Sequence, residues 1–221
     1  MQTAYACARF SAQHLKLADR APIGMGNRRY VFAHPTHPDL CIKLARTRHI
    51  RRQLDRRGGL YRLMPTRWRD DNWLEARAYQ QPALRDTQSG NWLFVPRLHG
   101  WQATDRGVGL VFDYYRTAHG APAPNLADLL AGGRHDAALE DALADLRRFL
   151  ARTDLWMRHP GPANIVWGAD GRLKLIDCLG TYNMHVLRHL APVRHRRRHR
   201  HIRYLNGAIA HLQHNTGVLA E

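Results

Sequence analysis

Short apolar runs separated by turn residues dominate the first half of the chain, whereas apolar positions recur at helical spacing in the second. Residues 26–34, GNRRYVFAH, and 40–45, LCIKLA, are two β-rich runs joined by PTHPD, so the pattern predicts an antiparallel hairpin. A basic stretch follows, with nine arginines between Ala45 and Asp71, a Gly-Gly break and Pro65, and it reads as an irregular connection. The next segment, NWLEARAYQQPALRD, is helix-like until Pro82, which lacks the N–H a continuing helix needs. WLFVPRLHGWQ (92–102) and GVGLVFDYY (107–115) supply two more strand candidates, the second with the unbroken apolar character of a buried strand.

The period then changes. In DAALEDALADLRRFLARTDLW, Leu139, Leu143, Leu146 and Leu150 follow one another at spacings that place them on one helix face. NIVWGADGRLKLIDCLG contains two apolar runs around Ala-Asp-Gly, a local signal for a second hairpin. A basic tract, RHRRRHRHIR, precedes the moderately amphipathic YLNGAIAHLQH, which predicts a terminal helix. No internal repeat is evident.

Composition narrows the possibilities. The chain has 221 residues, long for one average domain and short for two, with 44% hydrophobic residues and no apolar run long enough to span a bilayer. The start lacks the pattern of a secretory signal, so the cytoplasm is the expected location, with a peripheral place at the inner membrane surface as an extension of it. Cys7, Cys41 and Cys178 lie far apart with no CxxC pair, which argues for reduced thiols rather than a zinc module or disulfide framework. The 34 basic residues against 18 acidic ones give a formal charge of +16, and only Lys16, Lys43 and Lys174 are lysines. Such a surface suits anionic partners, but composition alone overstates that signal, because genome composition is a second source of arginine bias.

Four separated pieces carry candidate chemistry. GMGNRRYV puts Gly24 and Gly26 at the first two positions of a G-x-G-x-x-G-x-V loop and Val31 at the last, with Arg29 in place of the third glycine. Glycines let backbone N–H groups approach phosphate oxygens, although a plain glycine turn has the same appearance. Lys43, on the next strand among Cys41, Ile42 and Leu44, is placed as a phosphate-contacting lysine, and Glu75 on the following helix is its candidate partner. The alternative is an exposed pair of little energetic weight. Asn164 precedes one short strand and Asp177 follows the next, so both polar side chains belong at one end of the second hairpin; each is also a common turn or cap residue.

In this order, the glycine loop, Lys43, Glu75, the GLVFDYY strand, Asn164 and Asp177 resemble the protein-kinase-like superfamily over about residues 22–180. The short glycine loop, the HPxxPxxCIK strand pair and the Asp-x-x-Gly turn are more specifically similar to the PhoP regulatory network protein family. The resemblance implies an α+β, protein-kinase-like bilobal fold with a β-rich N-lobe over about 1–115, a reduced, mainly helical C-lobe core over about 116–180 and a basic helical tail over 181–221, all within one domain. It implies ATP and Mg2+ as cofactors, with Gly24, Gly26, Val31, Lys43 and Glu75 at the nucleotide and Asn164 and Asp177 at the metal. It also implies a link to the bacterial PhoP, magnesium or envelope-stress response.

One departure matters. The catalytic aspartate of a kinase loop would lie five residues before Asn164, and that position holds His159. A histidine titrating near neutrality can act as a base, although one of fifteen histidines in a loop is more simply a loop residue. Loss of general-base help costs about 10²–10⁴ in rate. The expected function is therefore a nucleotide-binding regulatory protein, either a pseudokinase or a weak ATP-dependent phosphotransferase acting on a small or envelope-related substrate. The alternative is a basic module for nucleic acid or anionic lipid, contacted through Arg194, Arg196, Arg197, Arg198, Arg200 and Arg203.

Overall fold

The computed structural model describes residues 8–26, 28–46, 70–117, 119–158, 160–179 and 191–218 of a mixed α+β protein. They fall into two compact units, one drawn from Met1–Gln81 and Arg97–Tyr114, the other from Pro82–Pro96 and Tyr115–Glu221. The arginine-rich connection at 47–69 and His159 lie outside the described residues.

The first unit is built on a five-stranded antiparallel sheet of order β1-β2-β3-β5-β4. Its strands are β1 (Gly24–Met25), β2 (Arg29–Ala33), β3 (Leu40–Ala45), β4 (Leu98–Thr104) and β5 (Gly107–Asp113). The predicted hairpin is β2–β3, with Val31 opposite Lys43. Alternation sorts the side chains to two faces. Phe32, Ile42, Leu44 and Val111 form one face and pack with Leu15 and Leu17 from the segment that precedes β1. That segment also covers the outer edge of β4, where Phe10 N donates to Trp101 O at 2.7 Å and Leu15 N to Ala103 O at 3.1 Å. An edge strand is thereby capped. Gly100 is required there: its φ is +126°, and a Cβ would stand 2.4 Å from Ala8 O. Asp105 in the β4–β5 turn holds the same segment by accepting from Leu17 N and Ala18 N at 2.8 and 3.0 Å.

The strand expected from Trp92 begins only at Leu98. Ser89 caps a 3₁₀ turn over Gly90–Leu93, Pro96 supplies no ladder donor, and residues 92–96 belong to the second unit. Helix α1 (Asp71–Ala78) stops four residues before Pro82, which opens a separate 3₁₀ turn.

The second unit contains α2 (Leu126–Ala131), α3 (Ala137–Arg152), the hairpin β6 (Ile165–Trp167) and β7 (Leu173–Leu175), and α4 (Ala191–Val218). Asp136 caps α3 by accepting from Leu139 N, and the four leucines read from the sequence are buried. Phe94 stacks on Phe149 of α3 at 4.3 Å, and its carbonyl accepts from Leu175 N at 2.6 Å, joining segment, hairpin and helix. The terminal helix begins earlier than expected. It takes in the whole basic tract, and from the end of that tract His201, Leu205 and Ile209 form a buried face, each one helical turn from the next. Among the described residues no helix is long and apolar enough to cross a membrane.

Candidate functional site

Helix α1 is unusual in what it buries. Its inward positions include Asn72 and Glu75, three residues apart on one face, and these are 0% and 3% exposed. A polar face buried against a sheet costs stability unless each group finds a partner. Asn72 Nδ2 donates to Lys43 O at 2.9 Å and so fixes the helix to β3. One turn later, Glu75 Oε1 accepts from Lys43 Nζ at 3.0 Å, and Lys43 is itself only 6% exposed. The pair is buried, which removes the surface-pair alternative. Lys43 Nζ also stands 4.4 Å from the centroid of the Phe112 ring, on the same face of the neighbouring strand.

The strand register extends this face toward the glycine loop. Gly24 is opposite Val31, Val31 opposite Lys43, and Arg29 opposite Ala45, so Val31 and Arg29 project to the side that carries Lys43. Arg29 reaches the other carboxylate oxygen of Glu75 through its Nη1. Two cations therefore share one buried carboxylate. The Arg29 contribution has no signal in the pattern, since a residue in place of an expected glycine reads as a loss.

The turn itself is tight: Gly26 N donates to Arg29 O at 2.9 Å, and Arg46 Nη1 donates to Gly26 O at 2.9 Å. A Cβ at Gly24 would meet nothing nearer than Val31 Cβ at 3.6 Å, and one at Gly26 nothing nearer than Arg29 O at 3.8 Å. Neither glycine has a positive φ. The fold has room for side chains at both positions, so neither packing nor backbone conformation requires a glycine at either.

In the second unit, Asn164 ends a 3₁₀ turn over Pro162–Asn164 that leads into β6. Its carbonyl accepts from Ile176 N at 2.8 Å, so Asn164 and Asp177 stand at the same end of the β6–β7 hairpin. Asn164 is half-buried and Asp177 exposed. Asp177 has φ +52°, and it is the one non-glycine residue with positive φ among those described. Left-handed backbone costs an aspartate less than most residues but still stores strain, and such strain concentrates at ligand sites. Among the described residues, no three His, Cys, Asp or Glu side chains gather to hold a metal. A cation here would draw on Asp177, Asn164 and ligand oxygens, the usual arrangement for Mg2+.

Lys174, the third lysine, is structural: it donates to Leu93 O at 2.8 Å and Asp170 Oδ2 at 2.5 Å. Asp154 lies beyond the end of α3 and accepts from Arg198 Nη2 at 2.6 Å, while Arg198 Nε donates to Thr153 O at 3.0 Å. Arg198 thus anchors α4 to its own unit and is withdrawn from the expected anion-binding set. Arg196, Arg200 and Arg203 are exposed; the side chains of Arg194 and Arg197 lie outside the described set.

With this geometry established, comparison with known proteins is decisive for the family. The model of the family "PhoP regulatory network protein YrbL" matches residues 15–209. The chain belongs to that family. Its match runs from the segment under the sheet, through Lys43, Glu75, Asn164 and Asp177, into α4. Among curated proteins, "Uncharacterized protein YrbL" of Escherichia coli (strain K12) and that of Shigella flexneri are each 27% identical to it over 161 residues. The aligned part is 69% of this chain and 65% of each relative, so the chain spans a little under two thirds of their length. The family name ties the group to the PhoP regulatory network, and these relatives are bacterial.

Proposed function

We propose that this member of the YrbL family is a kinase-like nucleotide-binding protein that acts as a regulatory module of the PhoP network. The observation that carries the reading is the buried Lys43–Glu75 pair on the sheet face that also presents Val31 opposite Gly24. A buried ion pair is weak evidence for stability, since apolar residues of similar volume commonly do as well, so its presence asks for a functional reason. Lys43, oriented by Glu75, meets phosphate oxygens, and the resemblance to kinase-like proteins assigns to Asn164 and Asp177 the Mg2+ that such phosphates carry. The bound cation neutralises phosphate charge. Phosphotransfer is weak or absent, because the loop position for the catalytic aspartate holds His159.

The test is calorimetric titration with ATP, with and without Mg2+, on the full chain and on Lys43→Ala and Asp177→Ala. Magnesium-dependent binding weakened by both substitutions supports the reading. Absence of any heat or thermal shift with the intact protein refutes it.

A second reading has its own observation. Arg196, Arg200 and Arg203 are exposed at positions i, i+4 and i+7 of α4, forming a cationic stripe opposite the buried His201, Leu205 and Ile209. The stripe suits the phosphates of a nucleic acid or of an anionic membrane. It predicts binding to a DNA duplex that weakens with salt, and a log–log salt slope reduced by about one for each of the three arginines replaced. Binding to anionic vesicles but not to duplex identifies the membrane instead, and binding to neither refutes the stripe.

A further inference from the structure

Segment 8–18 is held to the first unit by different means at its two ends. At the later end, Leu15 and Leu17 are buried with Phe32, Ile42, Leu44 and Val111, and the Asp105 carboxylate accepts from Leu17 N and Ala18 N. At the earlier end, Phe10 N donates to Trp101 O at 2.7 Å and Trp101 N to Ala8 O at 2.9 Å. There the Phe10 ring meets three histidines edge to face, with centroids 5.4 Å from His34, 5.6 Å from His37 and 6.3 Å from His99.

The hydrogen bonds of His34 fix its protonation state. Nδ1 accepts from Thr36 N and His37 N, each at 3.3 Å, and an amide can only donate, so Nδ1 is bare and the ring proton sits on Nε2. A second proton would enter at Nδ1, against two donors. Nε2 is buried with no hydrogen-bond partner among the described residues, so a charged ring would also be poorly solvated. The charged and titratable groups around it are His37 and Asp39 from its own turn, Arg9 and His14 from the segment, His99 and Arg97 from β4 and its approach, and Asp113 from β5. His37 stands 4.8 Å away, ring to ring, and adds a like charge when protonated. No carboxylate is bonded to His34: the two Asp113 oxygens accept from Arg97 N at 2.8 Å and pair with His99 Nε2 at 2.7 Å, and Asp39 is exposed.

We propose that the Phe10 end of segment 8–18 is an acid-released latch: protonation of His34 opens the edge of β4 at Trp101 while the Leu15–Ala18 end stays closed. The proton at Nδ1 breaks the bonds to Thr36 N and His37 N, and the turn that carries two of the three rings against Phe10 loses its internal support. Phe10 then leaves the histidines, and the Trp101 backbone passes from the segment to solvent. The later end has no such trigger. Asp105 has its pKa lowered, chiefly by the Leu17 N–H, so it remains ionised and bonded in mild acid.

Amide exchange of the intact chain between pH 7.5 and 5, corrected for the pH dependence of the exchange chemistry itself, tests the latch. The His34 pKa is about 4 with the segment closed and takes the ordinary 6.5 once it opens, so closure is fully favoured above about pH 6.5 and weakens as the pH falls. Protection at Phe10 and Trp101 should drop by about 30-fold at pH 5, while Leu15, Leu17 and Ala18 change by less than about threefold. In His34→Gln the drop should vanish. Protection at Phe10 and Trp101 that does not fall, or that falls equally from Phe10 to Ala18, would overturn the proposal. Should His34→Gln itself open the segment at pH 7.5, His37→Gln and His99→Gln decide, since each leaves His34 in place: both should retain a drop of at least about tenfold, and its loss in either would assign the trigger to that ring and overturn the role of His34.

Discussion

Replacing Glu75 by glutamine should be the most damaging single change in the first unit, and more damaging than replacing either cation. Glu75 is 3% exposed and accepts from Lys43 at one oxygen and Arg29 at the other. The neutral amide leaves both cations without this carboxylate in a place poorly reached by water, and removing one partner of a buried ion pair costs about 3–5 kcal/mol. Lys43→Met behaves differently. Glu75 keeps Arg29, and the methionine chain replaces the lysine stem beside Phe112, so the expected loss is about 1.5 kcal/mol, the low end for a hydrogen bond between charged groups. With a urea slope of about 1.5 kcal/mol per M, Glu75→Gln should lower the unfolding midpoint by about 2–3 M and Lys43→Met by about 1 M. Amide exchange on β3 assigns these changes to the first unit. The triple variant Arg29→Met, Lys43→Met, Glu75→Met should recover most of the stability lost in Glu75→Gln while binding no nucleotide. Equal losses in Glu75→Gln and Lys43→Met, or a triple variant less stable than Glu75→Gln, would refute the shared-carboxylate argument.

Other consequences follow from particular residues. Asp177→Gly relieves the +52° φ, whereas Asp177→Ala loses the same side chain and keeps the strain, so the glycine variant should be the more stable of the two by about 1 kcal/mol; equal midpoints in thermal unfolding would contradict the strain argument. His34 is 6% exposed, and its pKa is pushed down to about 4, first by burial and then by His37. Its Nδ1 accepts from Thr36 N and His37 N, each at 3.3 Å, a role the neutral ring fills. Because the unfolded chain takes up this proton more readily, stability should be intact above about pH 6.5 and fall as the pH drops toward 4, by at most roughly 2 kcal/mol at pH 5. A His34→Gln variant should show a flatter dependence of urea midpoint on pH between 7.5 and 5, and an unchanged slope would exclude His34 as its source. Asp105 has its pKa lowered, chiefly by the Leu17 N–H, so Asp105→Ala should speed amide exchange at Leu17 and Ala18 without altering exchange in β6 and β7.

Local pattern determined much of this protein. The β2–β3 hairpin, the buried strand β5, the leucine face of α3 and the β6–β7 hairpin were legible because a side-chain period of two or 3.6 records which face is covered. Lys43, Glu75, Asn164 and Asp177 were legible as an ordered set of polar residues at the ends or within the faces of those elements. Tertiary structure decided the rest. Residues 8–18 have no strong period, yet they cap β4 and close the apolar face, because Leu15 and Leu17 find their partners only once the sheet exists. Trp92–Pro96 has strand composition but turns to meet α3 and β7, where Phe149 and Leu175 offer it contacts. The burial of His201, Leu205 and Ile209, and the diversion of Arg198 to Asp154, arise only when α4 packs. Arg29 is the clearest case. Linear sequence marks it as a missing glycine, whereas the β2–β3 register carries it to the face of Lys43 and to the second oxygen of Glu75. Pairing across strands is a long-range property, set by which residues end up opposite one another rather than by which are adjacent.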